Sequence, residues 1–352
     1  MKTVSSYLLI TLISILFVSC SHVQFQKLQP TDNKYGLSTE ESLLNSQHVN
    51  KIDSLYNTGV DGYFKGANNV KIYYKYFVQD SLEKGAIVIS DGRTEAVVKY
   101  KEVIYDLFNN GYSVYIHDHR GQGFSGRMLP DHDMGYVDEF QNYVNDMKYF
   151  YENFVKKTPH KNIYLLAHSM GGAIGVTYLE EHPNDFTAAA FSSPMLGLPF
   201  PTCLVIGILT GDEPEYGLGQ KNYEEGLGTF DDNTLTGSKI RYERMNKIFD
   251  EFPKARLGGA TYQWVYKSCN QFDEIFDDID EIKTPLILFS AENDEIVSTS
   301  AHEDFIEELK EEGKEAEGFF VEDAKHELLI EKDECRIPVI TKILDFYSKH
   351  QN

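Results

Sequence analysis

Short apolar runs alternate with stretches of helical spacing over most of the chain. Val70 to Phe77 reads V-K-I-Y-Y-K-Y-F, a β-strand behind a turn at Gly66 to Asn69. Ala86 to Ser90, Ser113 to His117, Ile163 to Ala167 and Thr187 to Ser192 are apolar enough to be buried strands. Between them, Val97 to Phe108 and Phe140 to about Val155 carry helical spacing. Another helical pattern follows Ala167 and runs through Tyr178 and Leu179. This alternation predicts an α/β fold, a mostly parallel sheet flanked by helices and built from right-handed crossovers. The alternation breaks after Pro194. Met195 to about Ile282 has Pro- and Gly-rich turns, an acidic polar middle, and helical stretches at Lys239 to Phe252 and Tyr262 to Phe272. It reads as an inserted helical cap. The sheet resumes at Leu286 to Phe289, followed by a helix at His302 to Glu312, a strand at Gly318 to Val321 and a last helix at Ile337 to Lys349. The core therefore comes in two parts, residues 59–194 and 283–352, with the cap at 195–282.

The start of the chain follows a different pattern. Met1-Lys2 precedes a mostly apolar run from Tyr7 to Val18, then Ser19 and Cys20. A cationic start and a short apolar core describe a secretory signal, too short to span a membrane. F-V-S-C resembles a bacterial lipobox, which implies cleavage after residue 19 and lipid on Cys20. Phe17 departs from the leucine usual there. The expected location is the cell envelope, lipid-anchored; the alternative is a secreted or periplasmic protein with an ordinary signal. Residues 20–58 are rich in Gln, Asn, Ser and Thr and read as a polar tether, with a short helix near Ser42 to Leu55. Cys203, Cys269 and Cys335 would remain in the mature chain. They match no metal spacing, and their odd number allows at most one disulfide among them.

Composition narrows the partners. The 352 residues carry a formal charge of -22. This argues against nucleic acid, which needs a basic surface. It argues equally against a polybasic membrane patch.

The candidate chemistry centres on A-H-S-M-G. Ser169 falls between an apolar strand and a helix rich in small residues, at Gly171, Gly172, Ala173 and Gly175. That is the setting of a nucleophile elbow, where a sharp turn presents a serine hydroxyl at the top of a sheet. Ala167 stands where the usual pattern has glycine. A serine needs a general base, and the base needs an orienting acid. Asp294 follows the strand at Leu286 to Phe289, and His326 follows the strand ending at Val321, in the order Ser, Asp, His. Glu292 and Glu295 are rival acids. An oxyanion hole needs two N–H donors. Met170, directly after the nucleophile, is one. Arg93 in S-D-G-R-T-E is the other, with Gly92 permitting close approach. His117 and His119 form an H-x-H that could share one face of a strand, but no third ligand stands at a metal spacing.

D-H-R-G-Q-G-F-S-G (Asp118 to Gly126), A-H-S-M-G-G, S-A-E-N-D-E-I-V and A-K-H-E-L-L together resemble the monoacylglycerol lipase and bacterial lysophospholipase branch of the α/β-hydrolase fold. D-G-R-T-E-A-V-V-K-Y and G-G-A-T-Y-Q-W-V resemble the lysophospholipase side. The likeness covers roughly Gly59 to Tyr347. It implies a serine ester hydrolase of single-chain lipids, with no cofactor and no metal. It gives Asp118 and Arg120 a loop-holding role. Many relatives have histidine where Asp91 stands, a change that spares a backbone donor. Tyr262, Trp264 and Tyr266 either line an acyl pocket or pack the cap. Alternatives are a general carboxylesterase, an acyltransferase, a peptidase, or a non-catalytic lipid-binding fold.

Overall fold

The computed structural model describes residues 25–80, 82–224 and 228–351. The chain opens with a two-residue strand β1 (Gln26–Lys27), then α1 (Glu40–Leu43) and α2 (Ser46–Thr58). A hairpin follows, β2 (Val60–Lys65) and β3 (Lys71–Phe77), and then β4 (Gly85–Ser90), α3 (Lys101–Asn109) and β5 (Tyr112–His117). Next come α4 (Gln141–Phe150), β6 (Ile163–His168), α5 (Met170–Glu181) and β7 (Ala188–Ser192). The insertion carries α6 (Thr202–Leu209), α7 (Lys239–Glu251) and α8 (Tyr262–Asp277). The chain ends with β8 (Leu286–Ala291), α9 (Thr299–Glu311), β9 (Ala316–Val321) and α10 (Asp333–Lys349).

Among the described residues, one sheet runs β1-β9-β8-β7-β6-β4-β5-β3-β2. Strands β2 and β3 are antiparallel to their neighbours; the remaining pairings are parallel. The central strands are buried on both faces, and their side chains divide by the two-residue period. Val88, Leu165, Phe191 and Leu288 join a core under α4, α5, α8 and α9. Ile89, Leu166, Ala190 and Ile287 join the core under α3, α7 and α10.

Residues 25–58 are not a tether, which corrects the expectation for that stretch. Phe25 is buried, and β1 pairs with β9. Ser38 N–H and Oγ–H both donate to Asp106 Oδ1, at 2.9 and 2.7 Å. The Ser38 carbonyl accepts from Arg241 and Arg336. Thr39 caps α1 and Asn45 caps α2, which buries Ile52 and Tyr56. Ser38, Thr39, Ser42 and Asn45, which suggest a linker, are hydrogen-bonded to the core or to helix ends. Cys20 and the expected signal at residues 1–19 lie outside the described residues.

The inserted segment straddles the sheet rather than sitting on one side. Helix α7 buries Tyr242, Met245 and Phe249 with one core, and α8 buries Trp264, Phe272 and Ile275 with the other. The connection between them crosses the loops after β4 and β5. Arg93 Nη2 donates to Gly258 O at 2.8 Å, and Gly135 N–H donates to Gly259 O at 2.9 Å. Cys203 and Cys269 form a disulfide joining α6 to α8; Cys335 is free and buried.

Candidate active site

Ser169 caps the N-terminus of α5 at φ 52° and ψ -122°. A non-glycine residue there costs about 1–3 kcal/mol, so neighbouring contacts must hold it. Its N–H donates to Ser192 O at 3.2 Å, and its carbonyl accepts from Gly172 and Met195, both at 2.8 Å. The small residues around it are required by proximity. A Cβ on Gly171 would lie 2.2 Å from Ser90 O. The extra methyl of Ala167 is tolerated because Gly175 opposite has none; a Cβ there would be 3.2 Å from Ala167 Cβ.

The loops after β6, β8 and β9 bring three predicted residues together. His326 Nε2 is 2.9 Å from Ser169 Oγ, and His326 Nδ1 is 2.8 Å from Asp294 Oδ2. Asp294 Oδ1 accepts the N–H groups of Ile296 and Val297, at 2.9 and 3.1 Å. Burial pushes the Asp294 carboxyl up, but His326 and those two amides outweigh it and hold it below the usual range. An ionised Asp294 accepts from Nδ1–H, which leaves Nε2 free to accept the serine proton. The rival acids Glu292 and Glu295 are exposed to solvent. Glu292 accepts from Asp323 N–H at 2.9 Å.

On the donor side, the Gly92 N–H is already taken by Glu95 Oε2 at 2.5 Å. A Cβ on Gly92 would lie 3.1 Å from Ser169 Cβ, so the loop passes directly over the nucleophile. The Arg93 and Met170 N–H groups meet no protein acceptor among the described residues. The Arg93 guanidinium turns away, 5.1 Å from the centre of the Trp264 ring. Trp264 is buried between cap and core and donates to Tyr143 OH at 3.2 Å. It takes the packing alternative, and Tyr262 packs against the same cluster. Tyr266 lines a cavity of about 420 Å³ with Leu196, Leu198, Ile206, Phe272 and Phe276. Leu196 directly follows Met195, which is bonded to Ser169. A larger hollow of about 630 Å³ lies by Ile163, Thr187 and Pro285, at the opposite ends of the strands from Ser169.

Asp118 and Arg120 hold their loop as expected. Asp118 accepts from Val97 and Phe124 N–H, both at 2.6 Å, and Arg120 makes a two-point contact with Asp146. His117 and His119 are fully buried, and burial keeps both imidazoles neutral. Residues that were not singled out also converge on the site. Glu95, His168 and Glu327 bring potential metal ligands within 4.8 Å of one another. The Lys99 ammonium already lies 2.6 Å from Glu95 and 2.7 Å from Glu327. Burial pushes His168 down to about 4, so this ring, 4.9 Å from that of His326, adds no charge at neutral pH. The sequence signal for the cluster was Glu95 and Lys99, four residues apart; nothing local points to Glu327.

Sheet order, elbow and proton relay define an α/β-hydrolase with a serine nucleophile arrangement. The chain belongs to the family described as serine aminopeptidase, S33, whose profile matches residues 82–333. It is 35% identical to lysophospholipase L2 of Escherichia coli K12 over 301 residues, covering 82% of this chain and 87% of that protein. It is 32% identical to the probable lysophospholipase L2 of Haemophilus influenzae, covering 81% and 90%. A soluble variant of the Saccharomyces cerevisiae monoglyceride lipase, solved with a substrate analog, shares the fold. Its TM-score is 0.63 at 20% identity, covering 83% of this chain and 96% of that one. The protein is a serine ester hydrolase.

Proposed function

We propose that the protein hydrolyses the carboxylic ester of single-chain lipids, lysophospholipids or monoacylglycerols, through an acyl-enzyme. The observation that carries this reading is the Ser169–His326–Asp294 relay within a chain alike over 82% of its length to a lysophospholipase. Ser169 Oγ attacks the ester carbon while His326 Nε2 takes its proton. The oxyanion receives the N–H groups of Met170 and Arg93. Collapse breaks the ester C–O bond, and His326 returns the proton to the departing alkoxide. Water then repeats the sequence on the acyl-Ser169 ester and releases the fatty acid. The cavity beside Leu196, whose apolar wall of Leu198, Ile206, Phe272 and Phe276 is edged by Asn270, Asp273 and Ser298, has room for one acyl chain. Each methylene buried there contributes about 0.8 kcal/mol, so kcat/KM should climb with chain length until the cavity fills.

Lipidation of Cys20 and a cell-envelope location belong to the same proposal. The apolar run before Cys20 supports it. The Cys203–Cys269 disulfide fits an oxidising compartment outside the cytoplasm. Phe200, Leu204, Ile208 and Leu218, each at least 71% exposed, give the cap an apolar surface suited to a lipid interface. Among the described residues no helix is long and apolar enough to cross a membrane.

The test compares kcat/KM for lysophosphatidylethanolamine, monoacylglycerol, a diacyl phospholipid, p-nitrophenyl esters of several lengths and an aminoacyl amide. The expected order places the single-chain lipids first and the amide at background. Full activity on acetate esters with no chain-length dependence would make it a general carboxylesterase. Amide turnover would favour the peptidase reading that the family's description carries.

A further inference from the structure

The loops that frame Ser169 are joined from behind by a buried ion cluster. Glu95 lies three residues beyond Gly92, and its Oε2 accepts both Gly92 N–H at 2.5 Å and Tyr100 O–H at 2.6 Å. Its other oxygen meets Lys99 Nζ at 2.6 Å. The same ammonium donates to Glu327 Oε1 at 2.7 Å, and Glu327 is the residue next to His326. The Lys99, Glu95 and Glu327 side chains are at most 7% exposed. The remaining Glu327 oxygen is buried without a hydrogen-bond partner among the described residues.

We propose that Lys99 is a positioning residue that ties the oxyanion loop to the loop bearing His326, and so fixes the distance between the oxyanion donors and the general base. Other contacts hold each loop separately, Gln122 Nε2 donating to Gly92 O at 2.7 Å and Glu327 N–H to Leu235 O at 2.8 Å, but neither joins one loop to the other. Gly92 has no side chain to anchor it, and its N–H depends on Glu95. Without the ammonium, two buried carboxylates face one another uncompensated. They must protonate, or they must separate and carry Gly92 and His326 with them. Burial pushes the Glu95 carboxyl up, but the Lys99 ammonium and the Tyr100 hydroxyl outweigh it, so it stays ionised and keeps its grip on Gly92. A displacement of about 1 Å at reacting groups costs roughly 100-fold in rate. Lys99 lies in the single helical turn Val97–Tyr100, and the extended Ala96 between them lets the Glu95 side chain fold back onto it.

This inference rests on Ser169 being the nucleophile, and the experiment separates the two. A fluorophosphonate titration counts reactive serines, and p-nitrophenyl ester turnover is then expressed per labelled site. Lys99→Met should lower kcat per labelled site roughly 10- to 100-fold with KM little changed. A long-chain trifluoromethyl ketone, which forms a tetrahedral adduct, should lose affinity by the same factor as kcat/KM. The discriminating variant is Lys99→Met with Glu327→Leu. It restores the original charge balance but leaves the loops untied, so its melting temperature should recover while kcat stays low. A purely structural role predicts that both recover, and that result overturns the proposal. If Lys99→Met yields no labelled protein, Glu327→Leu alone carries the test. Wild-type turnover per labelled site in that variant overturns the proposal too. No labelling of Ser169 in the native protein would instead overturn the functional reading.

Discussion

A buried acid at the join of cap and core gives a prediction whose size follows from the structure. Glu180 on α5 lines a cavity of about 350 Å³ with Glu181, Glu274, Asp278 and Glu281, and no basic side chain shares that lining. Glu180 is 8% exposed, and its Oε1 has no hydrogen-bond partner among the described residues. Burial, then Asp278, Glu181 and Glu274, push its carboxyl from 4.5 up to about 9. Between those values the folded chain holds a proton that the unfolded chain releases. Stability therefore falls as pH rises across that window, by about 1.4 kcal/mol per unit for a fully coupled group. At pH 7 the gap of 2.5 units amounts to about 3 kcal/mol, an upper bound because water in the cavity weakens the effect. Glu180→Gln keeps the shape and removes the titration. Its unfolding free energy, followed by urea melts between pH 5 and 9, should gain on the native protein as pH rises and level off near pH 9. The advantage at pH 7 should be about 1–3 kcal/mol. Curves that stay parallel across this range would refute the reasoning, since they would mean that Glu180 titrates alike in both states.

Ser169→Ala and His326→Ala should each cut kcat by roughly 10⁴–10⁶-fold with the fold retained, because the relay acts as a unit. Asp294→Asn should cost about 10⁴-fold and Glu292→Gln almost nothing; steady-state ester hydrolysis checks both, and the reverse ranking would reassign the acid. The Cys203–Cys269 disulfide closes a separation of 66 residues, worth about 4 kcal/mol by chain entropy. Reduction, or Cys203→Ser, should therefore lower the melting temperature by several degrees, whereas an unchanged melt would show that α6 is held without it.

The parts of the fold that were legible in the sequence are those where one local pattern settles the outcome. Strands β4 to β8 announce themselves because both faces are buried, so no polar alternation obscures the apolar run. The elbow is legible because backbone crowding at Gly171 and Gly172 admits only small residues there. Asp294 and His326 follow from order alone, since each must lie just beyond a strand end. What stayed hidden depends on distant partners. Ser38 looks like linker serine until Asp106, Arg241 and Arg336 are beside it. Strand β1 is two residues long, and its register exists only against Phe319 and Phe320. Helix α6 reads as uniformly apolar, T-C-L-V-I-G-I-L, so periodicity could not say which face is covered.

The hidden contacts and the legible chemistry meet at one requirement. Ser169 is held in a costly backbone conformation, and that cost must be offset by structure that does not move when substrate arrives. Bonds to Ser192 and Met195 fix the elbow against β7 and the start of the cap. The Asp294 loop is pinned by its own amides, at Ile296 and Val297. The oxyanion loop is held by Gln122 at Gly92 O and the base loop by Leu235 O at Glu327 N–H, but neither of these contacts sets one loop against the other. Each loop also rests on a buried carboxylate, Glu95 or Glu327, and the two carboxylates share one ammonium. A charge cluster of this kind is a poor source of stability, because desolvation consumes most of the attraction. Its presence directly behind the reacting groups, where an apolar core would pack as well, is accounted for by geometry: it sets how far the donors stand from the base.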